Sequence, residues 1–206
     1  MIDMKSMSPV IELAYTGREF HRLGWASGTN GNYSMLLARK PMRLCMTASG
    51  IEKGALDETN FLELDADAEI LQGFGTPSPE TFIHLTIYRL IAQARAILHT
   101  SSVWGTILSD HFFEQGAVEI EGYEILKGLS GVTTHEHTET VPIVENSQDH
   151  IALAHVMENV LRESGGLHAV MLRRSGLYVW GSTVAEARRH VEILEYLFEV
   201  IGRRLK

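Results

Sequence analysis

The chain has 206 residues, 45% of them hydrophobic and 21% charged, with a formal net charge of 18 − 26 = −8. That length suits one domain over residues 1–206 with a sizeable core, the acidic balance disfavours sequence-independent nucleic-acid binding, which uses a basic face, and no apolar stretch approaches a membrane span. A single cysteine, Cys45, leaves no intrachain disulfide and reads as a buried small hydrophobe in Leu44-Cys45-Met46, while Asp3 and Lys5 argue against a secretory leader, so a cytoplasmic protein is expected.

Ser8-Pro9 predicts an N-cap with proline in the first turn. Val10, Ile11, Ala14, Phe20 and Leu23 follow at helical spacing, and Gly24 ends the helix. After a glycine- and asparagine-rich stretch, residues 33–38 and 43–47 read as a hairpin through Arg39-Lys40-Pro41. Phe61–Leu64 is a short strand. Ser78-Pro79 caps a second helix with a buried face of Ile83, Ile87, Leu90, Ile91 and Ala94. Residues 96–99 predict a buried strand and 103–109 a helix. Residues 116–146 are irregular, with short strands and glycine punctuation. A helix over 148–162 stops at Gly165-Gly166, and residues 168–172 and 177–180 form a hairpin across Arg173-Arg174-Ser175-Gly176. Thr183 and Glu186 predict a capping box for a last helix, with Ala187, Val191, Leu194, Phe198, Ile201 and Leu205 facing inward. Helices alternating with hairpins predict an α/β fold, an α/β/α sandwich around a mainly antiparallel central sheet.

Two loops carry the first chemical signal. In Gly28-Thr29-Asn30-Gly31-Asn32-Tyr33-Ser34, small residues let backbone N–H groups approach a ligand. Ser49-Gly50-Ile51-Glu52-Lys53 repeats this pattern and adds a cation. Each alone reads as an ordinary turn; as a pair they suggest a phosphate cradle. Glu80, at a helix start, complements the helix dipole by default. Glu124, beside an apolar segment, reads by default as a solvated carboxylate. His135-Glu136-His137 has the i, i+2 spacing that would place two imidazoles on one side of a strand, a weak metal signal. His84, His111, His150, His155 and His190 read as surface or half-buried residues without partners.

These signals occur in an order that resembles the class II aldolase/adducin family. The Gly-Asn-x-Ser loop, the Ser-Gly-x-x-Lys loop, Pro-Ser-x-Glu at a helix start, His99-Thr100-x-Ser102 and the Gly-Leu-Tyr-x-Trp-Gly hairpin all match, over roughly residues 9–205. Lys127-Gly128-Leu129, Thr134-His135-Glu136-His137, Val141-Pro142-Ile143, Asn146 and Gln148-Asp149 are most similar to a dehydratase branch of that family. The resemblance implies a class II aldolase-like fold, a homotetramer with active sites near subunit interfaces, and loss of water from a small-molecule sugar phosphate. It also implies a zinc ion on three histidines, a phosphate pocket including Gly31, Asn32, Ser49, Gly50 and Lys53, and acid/base roles for Glu124 and Glu80.

The chain departs from the pattern at the metal. The three ligand positions fall on His99, Ser101 and Ser175, so two of three histidines are replaced by serine. A neutral hydroxyl is a weak zinc donor, and catalytic zinc normally has three protein ligands. A zinc-poor protein with weak or no dehydratase activity is therefore expected. A rescuing ligand set from His135 and His137 is less favoured. A sugar-phosphate aldolase and a non-catalytic binding or interaction module are the alternative readings.

Overall fold

The computed structural model describes residues 8–205. Asp3 and Lys5, on which the expectation of no leader rests, lie outside the described residues.

Among the described residues nine strands form one sheet, β1 (Asn32–Arg39), β2 (Met42–Thr47), β3 (Phe61–Leu64), β4 (Ile70–Gln72), β5 (Ala96–Thr100), β6 (Ala117–Ile120), β7 (Glu139–Val144), β8 (Ala169–Leu172) and β9 (Gly176–Gly181). Their order is β4-β3-β2-β1-β5-β9-β8-β7-β6. Adjacent strands run antiparallel except β7 and β8. The helices are α1 (Pro9–Arg22), α2 (Thr81–Leu90), α3 (Val103–His111), α4 (His150–Glu163) and α5 (Val184–Gly202).

Strand alternation sorts the core into two layers. Ala96 and Leu98 of β5, with Leu177 and Val179 of β9, pack with Leu13 and Phe20 of α1, Leu108 of α3 and Val191 and Phe198 of α5. Ile97, Tyr178 and Trp180 face the other way, onto Ile83 and Ile87 of α2 and Leu153 and Met157 of α4. The α/β/α sandwich around a mainly antiparallel sheet is the observed architecture, and Cys45 is buried.

Local signals act largely as read. Pro9 occupies the first turn of α1, although the Ser8 side chain makes no cap bond. Arg174 takes the left-handed conformation, φ 55°, in the β8–β9 turn. The capping box on α5 is half made. Thr183 Oγ1 accepts from the Glu186 amide at 3.0 Å, but the Glu186 carboxylate turns to Ser182 and Ser130 instead of back to the Thr183 amide.

His190 corrects the surface reading. It is 2% exposed on the inner face of α5, hydrogen-bonded to the Trp180 carbonyl at 2.9 Å and accepting from the Ser130 amide at 3.1 Å. Glu195, also on α5, is 3% exposed and accepts from Thr100 Oγ1 of β5 at 2.9 Å. Burial raises its pKa to about 7, against smaller opposing hydrogen bonds from Ser102 and Thr100.

Candidate functional site

A polar cavity of about 160 Å³ opens where the first two loops meet the C-terminal end of β5 and the β8–β9 turn. It collects Gly31, Asn32, Ser49, Gly50 and Lys53, then Glu80, His99, Ser101 and Ser175. Nine of the ten residues assigned to the site from sequence therefore converge. Glu124 is the exception. It does not line this cavity; its side chain is 71% exposed, paired with Lys127 and 3.7 Å from His135. The hydrogen bond with Lys127 holds its carboxyl below the usual range, the opposite of the raised pKa that marks a buried general acid.

Backbone packing places His99. In the register of the sheet it pairs with Asn32 on one side and Tyr178 on the other. Its ring stacks on Tyr178 with centroids 4.0 Å apart. Two glycines are required against it. A Cβ at Gly31, φ 80°, would lie 2.7 Å from the His99 carbonyl oxygen, and one at Gly176 would lie 1.9 Å from the Thr100 carbonyl oxygen and 2.9 Å from His99 Cε1.

His99 Nδ1 lies 3.2 Å from the Leu177 carbonyl oxygen. A carbonyl only accepts, so Nδ1 carries the proton and Nε2 presents a lone pair to the cavity. Glu80 Oε2 is 3.8 Å from that nitrogen. Burial lowers the His99 pKa, and Glu80 opposes the shift.

Lys53 joins the two loops. It is 1% exposed, and its ammonium donates to the carbonyls of Thr29 at 2.9 Å and Ile51 at 2.7 Å, leaving one donor of three for a ligand. Burial lowers its pKa to about 8, with Glu80 opposing.

The lone imidazole, one carboxylate and two hydroxyls do not make a zinc site. Zinc binds three or four N, S or carboxylate donors at roughly 2.0–2.3 Å. Among the described residues, no group of three or more His, Cys, Asp or Glu could hold a metal ion. The rescuing set is not assembled either, since His137 Nε2 bonds Glu139 Oε2 at 2.8 Å and neither His135 nor His137 lines the cavity.

Sequence reasoning missed His84. Read as a surface or half-buried residue, it is fully buried, with Nε2 2.6 Å from Asn32 Oδ1 and Nδ1 2.7 Å from Ser34 Oγ. Ser34 Oγ continues to the Tyr88 hydroxyl at 2.8 Å, and Asn32 Nδ2 donates to Glu80 Oε2. Desolvation depresses the His84 pKa to about 3, so the ring is neutral at physiological pH. The usable signal was the i, i+4 spacing from Glu80, which stacks two side chains on one face of a helix. Tyr178 was also missed as a site residue. Its hydroxyl is fully buried beside Glu80, and burial drives its pKa far up.

The class II aldolase and adducin N-terminal domain family matches residues 11–201. Methylthioribulose-1-phosphate dehydratase of Methylococcus capsulatus is 40% identical over 203 residues, spanning 98% of this chain and 97% of that protein. The protein of the same name from Serratia proteamaculans is 42% identical over 183 residues, 88% of each chain. The solved sugar-phosphate aldolase from Thermotoga maritima superposes with a TM-score of 0.75 at 21% identity, covering 95% of this chain and 94% of that one, a likeness of fold.

Proposed function

The chain belongs to the class II aldolase and adducin N-terminal domain family, and from that premise we propose that it is a sugar-phosphate-binding relative of the methylthioribulose-1-phosphate dehydratases with weak or no dehydratase activity. One observation carries this reading: the Lys53 cation, the Glu80 carboxylate and His99 share a single polar cavity with Ser101 and Ser175.

Each residue has a role within those limits. The ammonium of Lys53 and the small residues of both loops hold a phosphate, fixing the remote end of a ketose phosphate such as 5-methylthioribulose 1-phosphate. Glu80 stands beside the carbons above that anchor and can take a proton from one next to a carbonyl. Loss of water then demands charge stabilisation at the carbonyl oxygen. Ser101 and Ser175 offer only neutral hydroxyls there. A Lewis acid supplies several kcal/mol, so losing about 4 kcal/mol slows the step on the order of a thousandfold. Glu124 can act at this cavity only if assembly delivers it. We place the chain in methionine salvage by ancestry, as one cytoplasmic domain assembled into a homotetramer, with no nucleic-acid or membrane partner.

Metal analysis and calorimetry test the proposal together. The purified protein should carry far less than one zinc per subunit and bind a sugar phosphate in a Lys53-dependent way. The Ser101→His, Ser175→His double variant should take up zinc and gain dehydratase activity, with the diketone phosphate as product. One zinc per subunit in the unaltered chain overturns the metal-poor reading. Failure of the unaltered chain to bind sugar phosphates favours an interaction module, and cleavage of a carbon–carbon bond by the double variant favours an aldolase.

A further inference from the structure

The polar groups behind Glu80 form a line with one permitted direction. Asn32 Nδ2 faces a carboxylate, which accepts, so Asn32 Oδ1 is the atom left for His84. That oxygen also only accepts, so His84 Nε2 must carry the proton. His84 Nδ1 then has a lone pair and accepts from Ser34 Oγ–H, and the Ser34 oxygen accepts from the Tyr88 hydroxyl. Donors therefore run Tyr88, Ser34, His84, Asn32 and end on Glu80. Ser34, His84 and Tyr88 are each 0% exposed and Asn32 is 6% exposed, so water cannot easily replace a missing link.

Reversing the line has a definite consequence. If His84 carried its proton on Nδ1, Nε2 would have to accept from the Asn32 amide N–H. Asn32 would then turn its oxygen toward the Glu80 carboxylate, two acceptors face to face. The His84 tautomer thus decides whether Asn32 holds Glu80 or repels it. Tyr178 closes the other side, its ring edge-on to His84 at 5.7 Å and stacked on His99.

We propose that His84 is a positioning residue, whose Nε2–H tautomer orients the Asn32 amide and thereby holds the Glu80 carboxylate in the cavity. The proposal rests on the reading of Glu80 as the carboxylate that meets the sugar phosphate. Glutamine can imitate this tautomer, with an N–H for Asn32 and an oxygen for Ser34; phenylalanine fills the space and offers neither.

Nitrogen-15 NMR of the unaltered protein at neutral pH is the primary test and needs no activity. His84 should show a bare Nδ1 and a protonated Nε2, and the Asn32 side-chain amide should exchange slowly. A protonated Nδ1 or an imidazolium overturns the proposal even if no variant folds. In the Ser101→His, Ser175→His background, His84→Phe should lower kcat by at least about tenfold with little change in KM, the mark of a misplaced group. His84→Gln should restore most of that loss and keep the slow Asn32 amide. Equal losses for Gln and Phe, with both folded, overturn it as well. If that background binds zinc and ligand without turning over, the dehydratase reading fails while the tautomer result still decides the role of His84.

Discussion

Replacing Glu195 with glutamine should change how stability depends on pH. Glu195 sits inside the α5 layer under β5, among neutral hydroxyls of Thr100 and Ser102 and, among the described residues, without a cationic partner. Its carboxyl titrates near 4.5 in the unfolded chain and at about 7 in the folded one. The folded state thus prefers the neutral acid. That preference stabilises fully below pH 4.5 and is lost as pH rises through about 7. A gap of roughly 2.5 pH units at about 1.4 kcal/mol each gives on the order of 3 kcal/mol between those limits. A glutamine at this position would not titrate, so Glu195→Gln should gain about 3 kcal/mol relative to the unaltered protein between pH 4.5 and 8. Urea denaturation across that range, with the two proteins compared at each pH, measures the change directly. A stability difference that stays constant from pH 4.5 to 8 would refute the buried, neutral carboxyl.

Lys53→Met should weaken sugar-phosphate binding at pH 7 by roughly tenfold to a hundredfold, the worth of about 1.5–3 kcal/mol for a charged hydrogen bond, as read by calorimetric titration. In the unaltered chain the same affinity should fall as pH rises through about 8, where Lys53 loses its charge. Gly176→Ala pushes a methyl into the Thr100 carbonyl and the His99 ring and should cost at least about 2 kcal/mol in denaturant unfolding. Thr183→Ala removes the N-cap acceptor for the Glu186 amide and should cost about 1 kcal/mol in the same assay.

The elements were legible because their signals are local. The period of Ile83 and Ile87, the apolar run of β5 and the tight Arg173-Arg174-Ser175-Gly176 turn depend on neighbours within a few residues. The two glycine-bearing loops were legible for the same reason, since glycine and small side chains mark each of them in one stretch. What could not be read joins distant segments. His84 acquires its place from Asn32 and Ser34, about 50 positions away, and Glu195 from Thr100, which lies 95 away. The i, i+4 spacing from Glu80 sets His84 on the same helix face, but it does not name Asn32 and Ser34 as its partners. The box at Thr183 is half made because Ser182, the residue before it, and Ser130, 56 positions away from Glu186, both take the Glu186 carboxylate.

β5 is the seam of the molecule. On one side it meets β1, which continues through consecutive hairpins to β4; on the other it meets β9, which leads through β8 to β7 and β6. Gly31 and Asn32 reach the cavity from the first half, Ser175 from the second, and His99 and Ser101 from the seam and its end. The phosphate cradle of Gly31, Asn32, Ser49, Gly50 and Lys53 lies wholly in the first half, so a sugar phosphate anchored there and reaching Ser175 touches both halves. A ligand bound there acts as a clasp across the join, so it should slow the parting of the two halves and raise the unfolding midpoint in proportion to the logarithm of its free concentration above Kd.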